Sequence, residues 1–176
     1  SNGVGQGSTF IITLPITVLH GEPEPLAERR HPRAASSLAS MSDACTKIEG
    51  IRVLVVDDEP DARSLVKRLL EDCQAIVTTA ATTVEAQTLL QSGKFDVLVS
   101  DIGMPGDDGY ALIRRIRSLD HSKGGNIPAI ALTAYGRAED RVKAVNAGFQ
   151  MHLTKPIEPV ELITMIAGAT GRIGHI

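Results

Sequence analysis

From Ile51 onward the chain alternates short apolar runs with stretches in which apolar residues recur every three to four positions. The runs are Ile51 to Val56, Ala75 to Thr79, Phe95 to Ser100, Ile127 to Leu132 and, more weakly, Gln150 to Leu153. They are rich in β-branched side chains and too short for buried helices, so each is predicted as a strand. Between the first two, Ala62, Leu65, Val66, Leu69, Leu70 and Cys73 paint one apolar stripe on a helix. Thr82 with Glu85 three residues later is a capping-box signature for a second helix, whose stripe includes Ala86, Leu89 and Leu90. Leu112, Ile113, Ile116 and Leu119 give a third helix its face; Ala138, Val142 and Val145 a fourth; Leu162, Ile163 and Ile166 a fifth. Alternation of this kind requires right-handed crossover connections, so the predicted fold is α/β, a doubly wound five-stranded parallel sheet with helices on both faces. The first and third runs are almost wholly apolar, as strands covered on both sides are.

The segment before this pattern reads differently. Residues 21–50 carry Gly-Glu-Pro-Glu-Pro and then Ala, Ser and Arg in no helical or strand period, which is linker composition. The longest apolar run, Phe10 to Leu19, is interrupted by Pro15, falls short of the ~20 residues that span a bilayer and follows no charged n-region. With 43% hydrophobic and 22% charged residues the chain can build a core, and with 3% aromatic residues and no Trp that core is aliphatic. Base stacking on aromatic platforms is then unexpected, and a net charge of -3 argues against a general phosphate-backbone or anionic-membrane binder. No nucleic acid and no direct membrane contact are expected. Cys45 and Cys73 lie far apart with no CxxC pair, a pattern that excludes a disulfide framework and a tetrahedral zinc site. Two free thiols in a reducing cytoplasm are the expectation.

In an open parallel sheet, polar residues at the carboxyl ends of the strands converge on the crevice where strand order reverses. The first strand ends in Asp57-Asp58-Glu59, the third in Asp101, the fourth in Thr133, and the fifth runs into Lys155-Pro156. Taken singly, an Asp-Asp pair is a helix N-cap and Asp101 a turn residue; taken together, acids, hydroxyl and Lys at the same end of successive strands form a site. Two unit charges ~4 Å apart at an effective dielectric of about 20 repel by roughly 4 kcal/mol. One Lys cannot offset three carboxylates, so the cluster must be partly protonated or hold a divalent cation. All-oxygen ligands select a hard ion such as Mg²⁺, which bridges carboxylates to phosphoryl groups.

Val-Leu-Val-Val-Asp-Asp-Glu-Pro at 53–60, Val-Ser-Asp-Ile-Gly-Met-Pro-Gly-Asp-Asp-Gly at 99–109, Ala-Leu-Thr-Ala-Tyr at 131–135 and His-Leu-Thr-Lys-Pro at 152–156 resemble the receiver domain of two-component response regulators. The resemblance covers the chain after the linker and implies a flavodoxin-like strand order 2-1-3-4-5. It implies that Asp101 is the nucleophile that takes a phosphoryl group from a phosphohistidine. Asp58 and Asp101 would ligate Mg²⁺ directly, Asp57 through water, and the carbonyl of Gly103 would complete the protein ligands. Lys155 would contact the phosphoryl oxygens and Thr133 would donate its hydroxyl to one of them. Met104-Pro105 and Gly109 would shape the loop after Asp101, and Lys155-Pro156 resembles the family's cis peptide. His152 stands where receivers commonly carry an aromatic that swings inward when Thr133 engages the phosphoryl; imidazole is smaller and titratable. Tyr135 is expected either to shield the phosphoryl group from water or to be an exposed loop residue. His121-Ser-Lys-Gly has the wrong spacing for a phosphotransfer motif and reads as a turn.

Gly3-Val-Gly-Gln-Gly-Ser-Thr-Phe followed by Leu14-Pro15 is similar to the closing hairpin of the ATP-binding domain of sensor histidine kinases. The expected organisation is a kinase remnant at 1–16, a flexible linker at 17–50 and a receiver domain at 51–172, the C-terminal part of a hybrid histidine kinase. The alternative is a stand-alone receiver starting at Met41. The implied partners are a histidine kinase or a histidine phosphotransfer protein, with a homodimer through the kinase parent. The implied location is cytoplasmic, whether or not that parent is membrane-anchored. Two rival functions remain: a Mg²⁺-dependent hydrolase turning over on Asp101, and a degenerate receiver kept as a binding module.

Overall fold

The computed structural model describes residues 41–105, 108–134 and 138–172. The expectations for residues 1–16, for 17–40 of the linker and for Tyr135 lie outside the described residues. Strands β1 (Arg52–Val56), β2 (Ile76–Ala80), β3 (Val97–Asp101), β4 (Ala129–Thr133) and β5 (Met151–Thr154) form one parallel sheet in the order β2-β1-β3-β4-β5. Helices α1 (Pro60–Asp72), α2 (Thr83–Ser92), α3 (Gly109–Arg117), α4 (Ala138–Ala147) and α5 (Pro159–Ala169) alternate with them, and His121–Lys123 makes a short 3-10 turn. The predicted α/β class, strand order and element sequence are what the chain adopts.

Local chemistry starts the helices. Pro60 and Pro159 open α1 and α5, where a missing N–H costs nothing. The Thr82 hydroxyl accepts the Glu85 N–H at 3.2 Å, while the Glu85 carboxylate reaches the N–H of Ala81 at 2.7 Å. The capping box is therefore present with its return bond displaced by one residue. Asp108 caps α3 by accepting the N–H of Ala111 at 2.8 Å.

The strand period of two sorts the core into two layers. Val53 and Val55 face Val66 and Leu70 of α1 and Leu162, Ile163 and Ile166 of α5; Leu54 and Val56 face Ala86 and Leu90 of α2, Leu112, Ile113 and Ile116 of α3, and Ala144 and Ala147 of α4. Three expected stripe positions are corrected. Leu65 is 70% exposed, and α4 turns Val142 and Val145 outward, seating on the sheet through Ala144 and Ala147 beside Phe149. Size explains this: small residues let a helix approach the sheet closely, whereas the apolar pattern weights the larger valines. No helix among the described residues is long and apolar enough to cross a membrane.

The region before β1 differs from the expected linker. Residues 41–46 are helical, and Ala44 and Ile48 are buried in the α1/α5 layer. The expectation of two free thiols is also corrected: Cys45 and Cys73 are disulfide-bonded, with Cα atoms 4.6 Å apart across 28 residues of chain. Docking of the 41–48 stretch against the end of α1 brings them together, and a pair this far apart without a CxxC pattern has no local signature.

At the amino ends of β1 and β3, Arg52 clamps Asp96: its backbone N–H and Nε reach Oδ2 at 2.8 and 3.1 Å, and a terminal guanidinium nitrogen reaches Oδ1 at 2.8 Å. The Arg52 hydrogen bond holds the Asp96 carboxyl below its ordinary value of 3.8, against the opposing effect of burial. A carboxyl depressed by folding contributes stability above its unfolded value, and that contribution is lost as pH falls through the lower folded one. Urea midpoints of Asp96→Asn and the unsubstituted chain are expected to differ above the ordinary carboxyl value of 3.8 and to draw together as pH falls below it. A gap constant over that range would contradict the assignment.

Candidate functional site

Parallel register sets the site. Val56 pairs with Ser100, so the next residues along, Asp57 and Asp101, stand level on neighbouring strands. Asp101 pairs with Leu132, and Thr133 with Thr154, so Thr133 and Lys155 arrive at the same edge from β4 and β5. The carboxyl ends of four strands thus deliver the residues singled out in the sequence.

Asp57 is fully buried, and its Oδ1 accepts the N–H of Glu59 at 2.9 Å, which turns the chain from β1 into α1. Asp58 is exposed beside it. Arg63, one turn into α1, donates to the backbone carbonyls of Asp57 at 2.6 Å and Asp58 at 3.3 Å. Asp101 closes β3 with its side chain 12% exposed, and its Oδ1 accepts the N–H of Gly103 at 3.0 Å. Gly109 lies under this turn: a Cβ there would collide with the Asp101 carbonyl and come within 2.8 Å of the Ile102 Cα, so only glycine lets α3 start this close to β3.

Lys155 bridges the two buried acids, with Nζ 2.9 Å from Asp57 Oδ2 and 2.8 Å from Asp101 Oδ2. Its backbone N–H is held by the Thr133 carbonyl at 2.7 Å, and its bond to Pro156 is cis, as the sequence resemblance implies. Burial works against the Lys155 ammonium, but hydrogen bonds to Asp101 and Asp57, together with their charges, outweigh it and lift the group above the usual lysine value. Oxygen atoms of Asp57, Asp58 and Asp101 lie within 4.8 Å of one another. At that spacing and an effective dielectric of about 20, each like-charged pair repels by roughly 3 kcal/mol, less where water reaches Asp58. One ammonium leaves two negative charges in excess. The donors are all carboxylate oxygens with one side open, a set that fits a hard divalent cation that keeps some of its waters.

The structure therefore brings Asp57, Asp58, Asp101 and Lys155 into one constellation, with Gly103 against Asp101 and Thr133 buried at the end of β4. His152 is half-buried on β5, opposite Ala131. Arg63 was not anticipated. A basic residue in the first turn of a helix looks like any surface arginine, and its two carbonyl partners carry no sequence signal. A cleft of about 950 Å³ sits at the opposite, amino ends of the strands around Arg52, Phe95, Asp96 and Ile127 and includes none of the three carboxylates.

The family model of the response regulator receiver domain matches residues 53–167. An uncharacterized 14.6 kDa protein of Leptolyngbya boryana is 52% identical over 114 residues, 65% of this chain and 86% of that protein. The sensor histidine kinase GacS of Pseudomonas protegens is 31% identical over 173 residues, 94% of this chain but 19% of the kinase. The receiver domain of the sensor histidine kinase PA1611 from Pseudomonas aeruginosa, solved with a magnesium ion coordinated in the active site cleft, superposes with a TM-score of 0.64 at 30% identity, covering 69% of this chain and 98% of that domain. The chain thus spans most of one small relative and only a fraction of a large kinase.

Proposed function

The chain belongs to the response regulator receiver family, and on that premise we propose that it is a phosphoacceptor of a two-component phosphorelay, taking a phosphoryl group onto Asp101. The observation that carries the reading is the setting of Asp101: at a strand end with its side chain 12% exposed, oriented by Gly103 N–H on one oxygen and by Lys155 Nζ at 2.8 Å on the other. An oxygen of Asp101 attacks the phosphorus of a phosphohistidine in line; one P–O bond forms, the P–N bond breaks, and the imidazole leaves with the bonding pair. Such transfer needs positioning and charge neutralisation more than covalent assistance. Lys155 shifts from bridging two carboxylates to contacting the new phosphoryl oxygens, and Thr133 donates its hydroxyl to one of them. Asp58, Asp101, Asp57 and the Gly103 carbonyl are the groups that would hold Mg²⁺, which when bound would supply charge neutralisation to the incoming phosphoryl group. The signal leaves as a conformational change read by a partner protein.

The domain organisation belongs to the same proposal: a receiver at 51–172, a linker before it and a kinase remnant at 1–16. The GacS alignment, which runs over 94% of the chain and so reaches well upstream of residue 53, supports a hybrid kinase parent. A histidine kinase or phosphotransfer protein is the donor, and the cytoplasm, where ATP charges such donors, is the location.

Incubating the full chain with Mg²⁺ and a labelled small phosphodonor tests the reading. One phosphoryl group per chain, released by hydroxylamine as an acyl phosphate is, supports it. Continuous release of phosphate over many turnovers would assign a hydrolase instead, and no incorporation would leave a binding module.

A further inference from the structure

We propose that Cys45 and Cys73 are a reversible thiol–disulfide pair that locks residues 41–48 onto the carboxyl end of α1, so that its oxidation state sets how firmly the chain upstream is tied to the domain. The pair is pre-positioned by contacts other than its own bond. Ala44 and Ile48 are buried in the α1/α5 layer, and the N–H of Gly50 is held by the carbonyl of Gln74, next to Cys73, at 2.9 Å. A Cα separation of 4.6 Å lies inside the range of roughly 4.4–6.8 Å that a disulfide spans without backbone movement. Opening and closing the bond therefore needs no refolding of either element.

The surroundings assign the two sulfurs different tasks. Cys73 is 3% exposed, whereas Cys45 is only partly buried, so Cys45 meets an external oxidant first. The oxidant is a small-molecule disulfide. The Cys45 thiolate attacks one of its sulfurs and expels a thiolate, leaving a mixed disulfide. The Cys73 thiolate then attacks Cys45 Sγ and expels the second thiolate. Two protein thiols become one disulfide, and one external disulfide becomes two thiols, so atoms and electrons balance. Cys73 is the C-cap of α1 and Cys45 lies near the end of the 41–46 helical stretch.

The bond closes a loop of 28 residues at the end of α1 remote from the acidic site, since a helix of 13 residues is about 20 Å long. When it is reduced, the 41–48 stretch is retained by its few buried apolar side chains and opens locally far more often. This proposal does not depend on the chemistry of Asp101.

The test equilibrates the full chain over graded ratios of oxidised to reduced glutathione and reads intact mass, free thiols and amide exchange of residues 41–48. The expected result is an intramolecular bond, two hydrogens lighter, with exchange in 41–48 slowed at least about tenfold and a melting temperature raised by about 5–10 °C. Cys45→Ser should match the reduced chain at every ratio. Thiols that stay free throughout, oxidation only between chains, or equal exchange in 41–48 in both states would overturn the proposal. Because the unsubstituted chain supplies both states, a folding defect in the variant would not blunt the test.

Discussion

Asp101→Asn is expected to incorporate no phosphoryl group under conditions that load the unsubstituted chain, a loss of at least about a thousandfold in rate. The amide is nearly isosteric with the carboxylate, so one oxygen still accepts the Gly103 N–H and the strand end keeps its geometry. Lys155 retains Asp57 at 2.9 Å as a partner, so its charge is not left unpaired. What disappears is the anionic nucleophile, since a neutral amide oxygen forms no stable bond to phosphorus. The measurement is labelled phosphate retained on the chain after the donor is removed, with circular dichroism confirming the fold. The neighbouring acids are built-in rivals. Asp58 is exposed and Asp57 lies level with Asp101, yet Asp57 is fully buried and bonded on both oxygens. Label that persists in Asp101→Asn and vanishes in Asp58→Asn would move the nucleophile to Asp58 and defeat the assignment.

That the sequence alone singles out Asp101 reflects how parallel sheets work. Strands buried on both faces read as apolar runs, so the first polar residue after each run marks its carboxyl end, and those ends share one edge. Asp57, Asp101, Thr133 and Lys155 were legible for that reason. Gly103 and the proposed ligand role of Asp58 came from the motif resemblance, since composition and period say nothing about either. Other features were hidden because they depend on facing and on distance in space. Periodicity marks which residues of α4 share a face, but the choice between Val142/Val145 and Ala144/Ala147 rests on how closely the helix seats against Phe149. The 41–48 stretch looks like linker because two buried side chains, Ala44 and Ile48, do most of its anchoring. Two such positions give no detectable period. The Cys45–Cys73 bond follows from that docking, and Arg63 from a backbone turn, so both appear only once the chain is folded.

The acidic cluster should make function and stability oppose each other, and Asp58→Asn should show it. Three carboxylates lie within 4.8 Å of one another, and Lys155, bonded to Asp57 and Asp101, leaves two negative charges in excess, one of them on Asp58. Removing that charge relieves repulsion from Asp57 and Asp101 without creating a cavity or breaking an ion pair. Since Asp58 is exposed, water and salt reduce the gain from the roughly 3 kcal/mol per pair of an unscreened estimate to about 1 kcal/mol. In EDTA, Asp58→Asn should therefore melt a few degrees above the unsubstituted chain, and the difference should shrink in molar salt as the Debye length falls to about 3 Å. Mg²⁺ should reverse the order. A cation that binds only the folded chain stabilises by about 1.4 kcal/mol at tenfold its dissociation constant, and the variant, short of one anionic ligand, should gain little of this. Crossing melting curves in EDTA and Mg²⁺ would identify Asp58 as a carboxylate held against repulsion for the sake of the ion. A variant less stable than the parent in EDTA, or equally stabilised by Mg²⁺, would remove Asp58 from the metal site.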